Sequence, residues 1–524
     1  MFRKLLVLLA LLVPVAAQAQ WTRAESTNFI AYSNGSAEDL KERVEALEKF
    51  GRVLQTMTGA RRPKEVPVKI KVYFLPSQTE VADSLPYPAG GVLGYYNTTM
   101  RGPFTVMPRQ DLKDAATRRT QFSAVTVLQH ELTHHFMFQY FPAAYPSWYV
   151  EGFADYAGAI EITDDNIAKI GLFLPNRAAT LRQLDWVPLK ELMNPIPGKS
   201  RFPGIAFYSQ GWITVHYLNS SDERRALLTD YLRRINAGQS FGDALAAFGD
   251  IDAFDRDVRQ YAKQNRIPAE GVHYPQLTAG PITVEKLSPG DSALVNLEMR
   301  MSAGVLQSGA KSFASRVRSA TRPYLSDPDA LRVLADAERM AGNRNESLAA
   351  ADRLLALNPA SPWGNYFRSV NEVDALVEAR STDEDAWDST RTRLRAAMKS
   401  LPNEPRFARA FYESYSRRGI LPPATAQNAL ARALDLIPRE NSLRLLVVRD
   451  YEARGMIQDA IDTLAPLAYG LEDETEKAKR QREKRQDQYR EAEQEDEAET
   501  PREMLVRLIA KRDATAAPAP AAAK

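Results

Sequence analysis

Three of the chain's five histidines stand within six positions, in the stretch VLQHELTHHF at 127–136. His130, Glu131 and His134 spell H-E-x-x-H. On a helix, residues four apart share a face, so the imidazoles of His130 and His134 reach one ion. Glu131, one position further round, is then placed beside an attacking water, where a general base is needed. His135 faces away from the pair and reads as a packed residue or one that supports the site from behind, not as a ligand. The motif lies in RRTQFSAVTVLQHELTHHFMFQYFP, which has no Gly or Pro before Pro142, and the spacing predicts a helix from about Arg119 to Tyr140. Val127, Leu128, Leu132 and Phe136 would bury it.

A catalytic zinc needs a third protein ligand and an open position. The stretch YPSWYVEGFADYAG offers candidates, with Glu151 seventeen positions after His134. Pro146 and Ser147 look like a helix start, and Glu151 and Asp155, four apart, fall on one face. One carboxylate can bind the metal while the other accepts the outer N–H of a ligand histidine and fixes its tautomer. From spacing alone, either carboxylate fits either task.

H-E-x-x-H followed by PSWYVEGFADY resembles the gluzincin metallopeptidases, specifically the peptidase-MA-like domains with a P-x-W-x-x-E-G signature. The likeness covers roughly residues 21–270. It implies zinc bound by His130, His134 and Glu151, water activated by Glu131, and a ligand histidine supported by Asp155. An aspzincin-like arrangement with Asp155 as ligand is disfavoured by the same signature. The interval to Glu151 is shorter than in the best-known gluzincins and suits this subgroup. GIAFYSQGWITVHYL resembles the family's Y-x-Q-[SG] helix, which makes Tyr208 the candidate donor to the oxyanion. His216, on the same predicted helix, is its rival.

These residues need elements to position them. WTRAESTNFIAYS reads as a strand. Ser36 then caps a helix with Leu40, Val44, Leu47 and Phe50 at helical spacing. VPVKIKVYFLP alternates Val68, Ile70, Val72 and Phe74 as a strand, and GVLGYYNTTMRGPFTVMP reads as a strand pair. Strands first and helices afterwards is an α+β pattern.

From about residue 290 the strand signals stop. DPDALRVLADAERMAGNRNESLAAADRLLALNP can be laid on the thirty-four-residue tetratricopeptide pattern, with Leu331, Leu334 and Ala335 packing, Gly342 turning and Pro359 ending the unit. Looser units turn at Gly419 and end at Pro438, and turn at Gly455 with Ala460 as the small contact. The expected architecture is an α+β zincin-like catalytic domain over 20–280, followed by an all-α tetratricopeptide-like solenoid over 281–470 as its own cooperative unit. A charged, solvated helix over 471–512 and an Ala/Pro tail without order over 513–524 complete it.

Composition narrows the class. A net charge of +2 among 26% charged residues argues against a nucleic-acid footprint. MFRKLLVLLALLVPVAAQAQ has the n-region, apolar run and A-x-A site of a secretory leader over 1–19, cleaved near Ala19, and no later stretch reaches the ~20 apolar residues of a membrane helix. There is no cysteine, so neither disulfides nor thiolate chemistry enters. The expectation is therefore a periplasmic or secreted zinc peptidase with Zn2+ as cofactor. Its substrate would be a peptide or protein, laid along an edge strand around Val92 to Tyr96, and the repeats would take a protein partner. The alternative is a non-catalytic scaffold with a structural zinc, against which Glu131 argues, because a structural site needs no base.

Overall fold

The computed structural model describes residues 20–60, 68–88, 92–113, 120–196, 200–264, 266–471 and 499–516. The leader, most of the charged stretch and the end of the tail lie outside them. No helix among the described residues is long and apolar enough to cross a membrane.

The stretch expected as a single first strand is two, β1 (Thr22–Glu25) and β2 (Phe29–Ser33), joined by a tight turn in which Ser26 N–H donates to Phe29 O at 3.0 Å. α1 (Ala37–Thr58) starts where the Ser36 hydroxyl accepts from Asp39 N–H. β3 (Ile70–Leu75), α2 (Gln78–Ser84), β4 (Tyr95–Thr99) and β5 (Gly102–Pro108) follow. A small hairpin, β6 (Leu112–Lys113) with β7 (Thr120–Phe122), precedes α3 (Ala124–Tyr140), which carries H-E-x-x-H. The motif helix thus starts after Ser123 rather than at Arg119. The Ser123 hydroxyl accepts from Val125 N–H, and Asp111 takes the Ala124 N–H at 2.9 Å, so two of the helix's free donors are satisfied at that point.

Next come α4 (Ser147–Gly158), β8 (Glu161–Ile162), β9 (Ile167–Ile170), α5 (Pro175–Gln183) and α6 (Leu189–Leu192). α7 (Ile205–Asn219), α8 (Asp222–Asn236), α9 (Phe241–Ala244) and α10 (Ile251–Ala262) lead to β10 (Glu270–His273) and β11 (Thr283–Lys286). Six strands form one mixed sheet in the order β11-β1-β2-β3-β5-β4, with β2, β3 and β5 parallel and β4 antiparallel at the edge. β3 and β5 are central, and both faces are covered. Ile70, Val72 and Phe74 point into a core with Leu40, Val44, Leu128, Leu132 and Phe136 of α1 and α3. Tyr73, Leu75, Phe104 and Val106 point the other way, onto Val81 of α2 and onto Leu287, Val295 and Met299.

The last two of these belong to α11 (Pro289–Ala303), the first helix of the helical half. Because β11 closes one sheet edge and α11 covers one sheet face, the first unit does not end at residue 280. That boundary would cut through the sheet.

Beyond it, helices come in pairs: α11 with α12 (Gln307–Thr321), α13 (Pro328–Met340) with α14 (Arg344–Leu357), and α15 (Pro362–Glu378) with α16 (Glu384–Ser400). α17 (Pro405–Ser416) with α18 (Ala424–Leu436) and α19 (Asn441–Ala453) with α20 (Ile457–Ala468) complete them. Gly342, Gly419 and Gly455 end first helices at φ of 76°, 77° and 74°, as the tetratricopeptide spacing predicts. The α15–α16 pair has Arg380 at φ 47° in that place, without the glycine that would announce it. α21 (Pro501–Ala516) buries Met504, Leu505 and Leu508 against α20 and runs to Ala516 within the tail expected to lack order, while the charged stretch expected as a solvated helix lies mostly outside the described residues.

The helical half touches the first unit at several points. Arg101, in the β4–β5 turn, forms a two-pronged ion pair with Asp336 of α13, which Arg406 of α17 also meets at 3.1 Å. Phe241 N–H donates to Gly470 O at 2.9 Å. The solenoid is therefore docked along its length rather than hung from one end.

A fragment of residues 20–304 should melt higher than one of residues 20–280, by about 5 °C or more, since it keeps β11 and the buried Leu287, Val295 and Met299. Equal melting temperatures in thermal unfolding would place the end of the sheet at residue 280 after all.

Candidate metal centre

α3, α4 and α7 build the site, and glycines set how closely they approach. A Cβ on Gly152 of α4 would lie 2.4 Å from the backbone carbonyl of Gly211 of α7, and one on Gly211 would lie 2.4 Å from Trp148 O. The two helices therefore cross backbone to backbone. At the far end of α4, a Cβ on Gly158 would meet His130 N and Thr126 O at 3.1 Å. α4 is held between its two neighbours at van der Waals distance, with its carboxylates directed at the motif face of α3.

His130, His134 and Glu151 converge. His130 Nε2 and His134 Nε2 are 3.1 Å apart, and Glu151 Oε2 stands 3.3 Å from the first and 3.5 Å from the second. Tetrahedral coordination with ligand bonds of about 2.0–2.1 Å separates ligand atoms by about 3.3 Å. Glu151 Oε2 is buried and makes no hydrogen bond of good geometry. Three donors of the right type, at the edge lengths of a tetrahedral face, fit a divalent ion such as zinc; they are the one such group among the described residues.

Asp155, buried, takes a different position. His130 Nδ1–H donates to its Oδ1 at 3.0 Å, which leaves Nε2 free to face Glu151 and His134. Arg177, at the start of α5, holds the same carboxylate with Nε to Oδ2 at 2.6 Å and Nη2 to Oδ1 at 3.0 Å. Asp155 therefore orients His130 and stands outside the convergent group of three. Burial disfavours its charge, but His130 and Arg177 outweigh that and lower its pKa. Burial likewise disfavours an imidazolium at His130, yet Asp155 and Glu151 push it up to about 10. Glu151 is held well below the usual carboxylate range, because the two imidazoles outweigh its burial.

Tyr208 of α7 stacks against His130, with ring centroids 6.1 Å apart and planes 19° from parallel, and the Arg177 guanidinium lies 4.9 Å over its ring. Burial first, then the nearby Glu151 and Glu131, push its pKa well above that of an ordinary phenol, so it keeps its proton. Gln210, two residues on, is turned away and clamps Val187, accepting from its N–H at 2.9 Å and donating to its C=O at 2.8 Å. His216 is not in the site. It is buried, with Nε2–H donating to Gly171 O and Tyr261 O–H donating to Nδ1, both at 2.9 Å. His135 points under the sheet, where its Nδ1 meets Tyr96 O–H at 3.1 Å.

The triad opens on a cleft of about 800 Å³, lined also by Glu131, Tyr208, Arg177, the segment Val92 to Tyr96 and Arg439. A second groove of about 620 Å³, without the triad, adjoins it at Thr126, Leu174 and Asn176. Sequence reasoning did not find Arg177 or Arg439. Arg177 stands in FLPNRAATLRQ with no spacing relation to the motif, and Arg439 comes from the helical half.

No family model matches the chain, and no curated protein matches it. Among solved structures, a thermophilic TPR protein of Thermus thermophilus is similar at 19% identity and a TM-score of 0.28, over 34% of this chain and 88% of that one. The MamA RS-1 ArsTM double mutant is similar at 14% identity and a TM-score of 0.25, over 34% of this chain and 93% of that one.

Gly152→Ala should force α4 off α7, destabilise the protein by about 1–3 kcal/mol and displace Glu151 from the histidines. Denaturant unfolding, together with zinc titration of the folded variant, checks both effects. Parental stability and parental affinity would mean that the close crossing does not set the site.

Proposed function

We propose that this protein is an exported zinc-dependent peptidase of gluzincin type, its first half a zincin-like catalytic unit. The observation that carries the reading is the triad of His130, His134 and Glu151 at tetrahedral edge lengths, opening on a cleft that Glu131 also lines. A zinc ion held there would supply a Lewis acid that polarises the scissile carbonyl and lowers the pKa of a water.

The chain's own residues do the rest. Glu131 takes the proton of the attacking water as the new C–O bond forms, and passes it to the amide nitrogen as the C–N bond breaks. Tyr208, a neutral phenol, donates to the developing oxyanion. Arg177 and Asp155 hold His130 in its ligating tautomer. Edge strand β4, with the free side of its backbone along the cleft, suits an extended substrate added as a further strand. Export rests on the leader sequence, and a protein partner for the repeats rests on their helix-pair architecture.

Glu131→Gln should keep one zinc per chain and lower hydrolysis of a mixed peptide library by about a thousandfold or more. His130→Ala with His134→Ala should abolish both. Hydrolysis at the parental rate by Glu131→Gln would remove Glu131 as the base and overturn the mechanism, whereas a zinc-loaded parent protein that cleaves no peptide would leave the scaffold with a structural zinc in its place.

Zinc binding should also release about one proton at pH 7, because His130 in the metal-free protein titrates at about 10 and must lose its proton to ligate. The sign follows: affinity rises as the pH is raised from 7 towards 10 and falls below 7. Calorimetry in two buffers of different ionisation enthalpy reads the proton count. A count of zero would mean that His130 is already neutral in the metal-free protein at pH 7.

A further inference from the structure

We propose that Arg439, brought to the cleft by the helical half, is a specificity-determining residue that receives a carboxylate of the substrate. This rests on the peptidase reading for what is cut, but its own geometry is independent of it.

Arg439 lies in the loop between α18 and α19, and that loop is fixed on both sides. Gln139 of α3 donates through Nε2 to Leu436 O at 3.3 Å, and Arg444 donates through Nη2 to Pro438 O at 2.5 Å. The Glu440 carboxylate caps α19 by accepting from Leu443 N–H at 2.6 Å. From this support the Arg439 guanidinium stacks over the Phe138 ring at 3.5 Å from its centroid. Phe138 is four residues past His134, hence on the same face of α3 and about 6 Å further along its axis.

Charge completes the argument. Arg332, Arg406, Arg418 and Arg454 of the helical half each hold a carboxylate of this chain. Arg439 keeps part of its surface open in the cleft, though burial disfavours its charge and lowers its pKa, and no carboxylate among the described residues lies within ion-pair distance of it. Its acidic neighbour Glu151 already directs Oε2 at two imidazoles. A fixed, stacked guanidinium with open donors in a substrate cleft is a seat for a planar anion. The carboxylate can be a C-terminal one or an Asp or Glu side chain.

The test measures binding of N-acetylated alanine–phenylalanine pentapeptides to the zinc-loaded, full-length Glu131→Gln protein. One arm compares free with amidated C-termini, and the other compares Glu with Gln scanned through amidated peptides. In at least one arm the carboxylate should bind about tenfold tighter or more. Adding Arg439→Ala should bring that ratio to about one, and Arg439→Glu should invert it, with thermal unfolding and zinc content confirming intact variants. Equal binding in both arms, no binding of any peptide, or a preference that survives Arg439→Ala overturns the proposal. Hydrolysis by the parent protein is read separately: binding that depends on Arg439 without any cleavage would remove the peptidase reading and leave the anion seat standing.

Discussion

The contact between Gly152 of α4 and Gly211 of α7 is the constraint from which the site follows. Their backbones meet where any side chain would lie 2.4 Å from a carbonyl. Glu151 and Asp155 flank Gly152 along one helix, and Tyr208 lies one turn before Gly211 on the other. Bringing the axes this close delivers two carboxylates and a phenol into one volume. Gly158 does the same for α4 against α3, opposite His130. Three helices can share a pocket narrow enough for one ion because the pairs pack through glycines rather than through interdigitated side chains. This arrangement gives up helix propensity at three positions, about 1 kcal/mol each, in exchange for position.

The buried charges then fix orientation. A carboxylate as enclosed as Asp155 is costly to keep ionised, and a buried ion pair is a weak source of net stability. Here Arg177 meets it with two hydrogen bonds and His130 with a third, so most of its acceptor capacity is used. The return is a fixed ring, with Nδ1 committed to Asp155 and Nε2 turned toward Glu151 and His134. Arg177 reaches Tyr208 as well, so one guanidinium ties the support of His130 to the neighbouring phenol.

What the sequence made legible was local. The i, i+4 pairs His130/His134 and Glu151/Asp155 needed only helical geometry, and the glycine turns at 342, 419 and 455 needed only the left-handed backbone that helix ends prefer. What stayed hidden was non-local or lacked its usual residue. The motif helix begins at Ser123, a cap overlooked when only Gly and Pro were taken as boundaries. The α15–α16 pair escaped because Arg380 occupies the left-handed position that the other turns give to glycine. β11 carries no apolar alternation, since Thr283, Glu285 and Lys286 are exposed, and its place in the sheet is set by pairing with β1. Arg177 and Arg439 are single arginines whose meaning lies only in what the fold brings beside them.

The same non-locality alters how the two halves relate. A sheet buried on both faces needs a cover for its second face, and α2 alone, seven residues long, is too short to supply it. α11 does so with Val295 and Met299, which makes the first repeat helix part of the first unit's core. From there the solenoid returns to its host through Asp336 at the β4–β5 turn and Leu436 at the end of α3. β4 forms one wall of the cleft and α3 carries His130 and His134, so both contacts hold elements of the candidate site. A repeat array that only recruited a partner could be tethered by a linker. This one braces the edge strand and the motif helix, and the position of its loops is thereby part of the shape of the cleft.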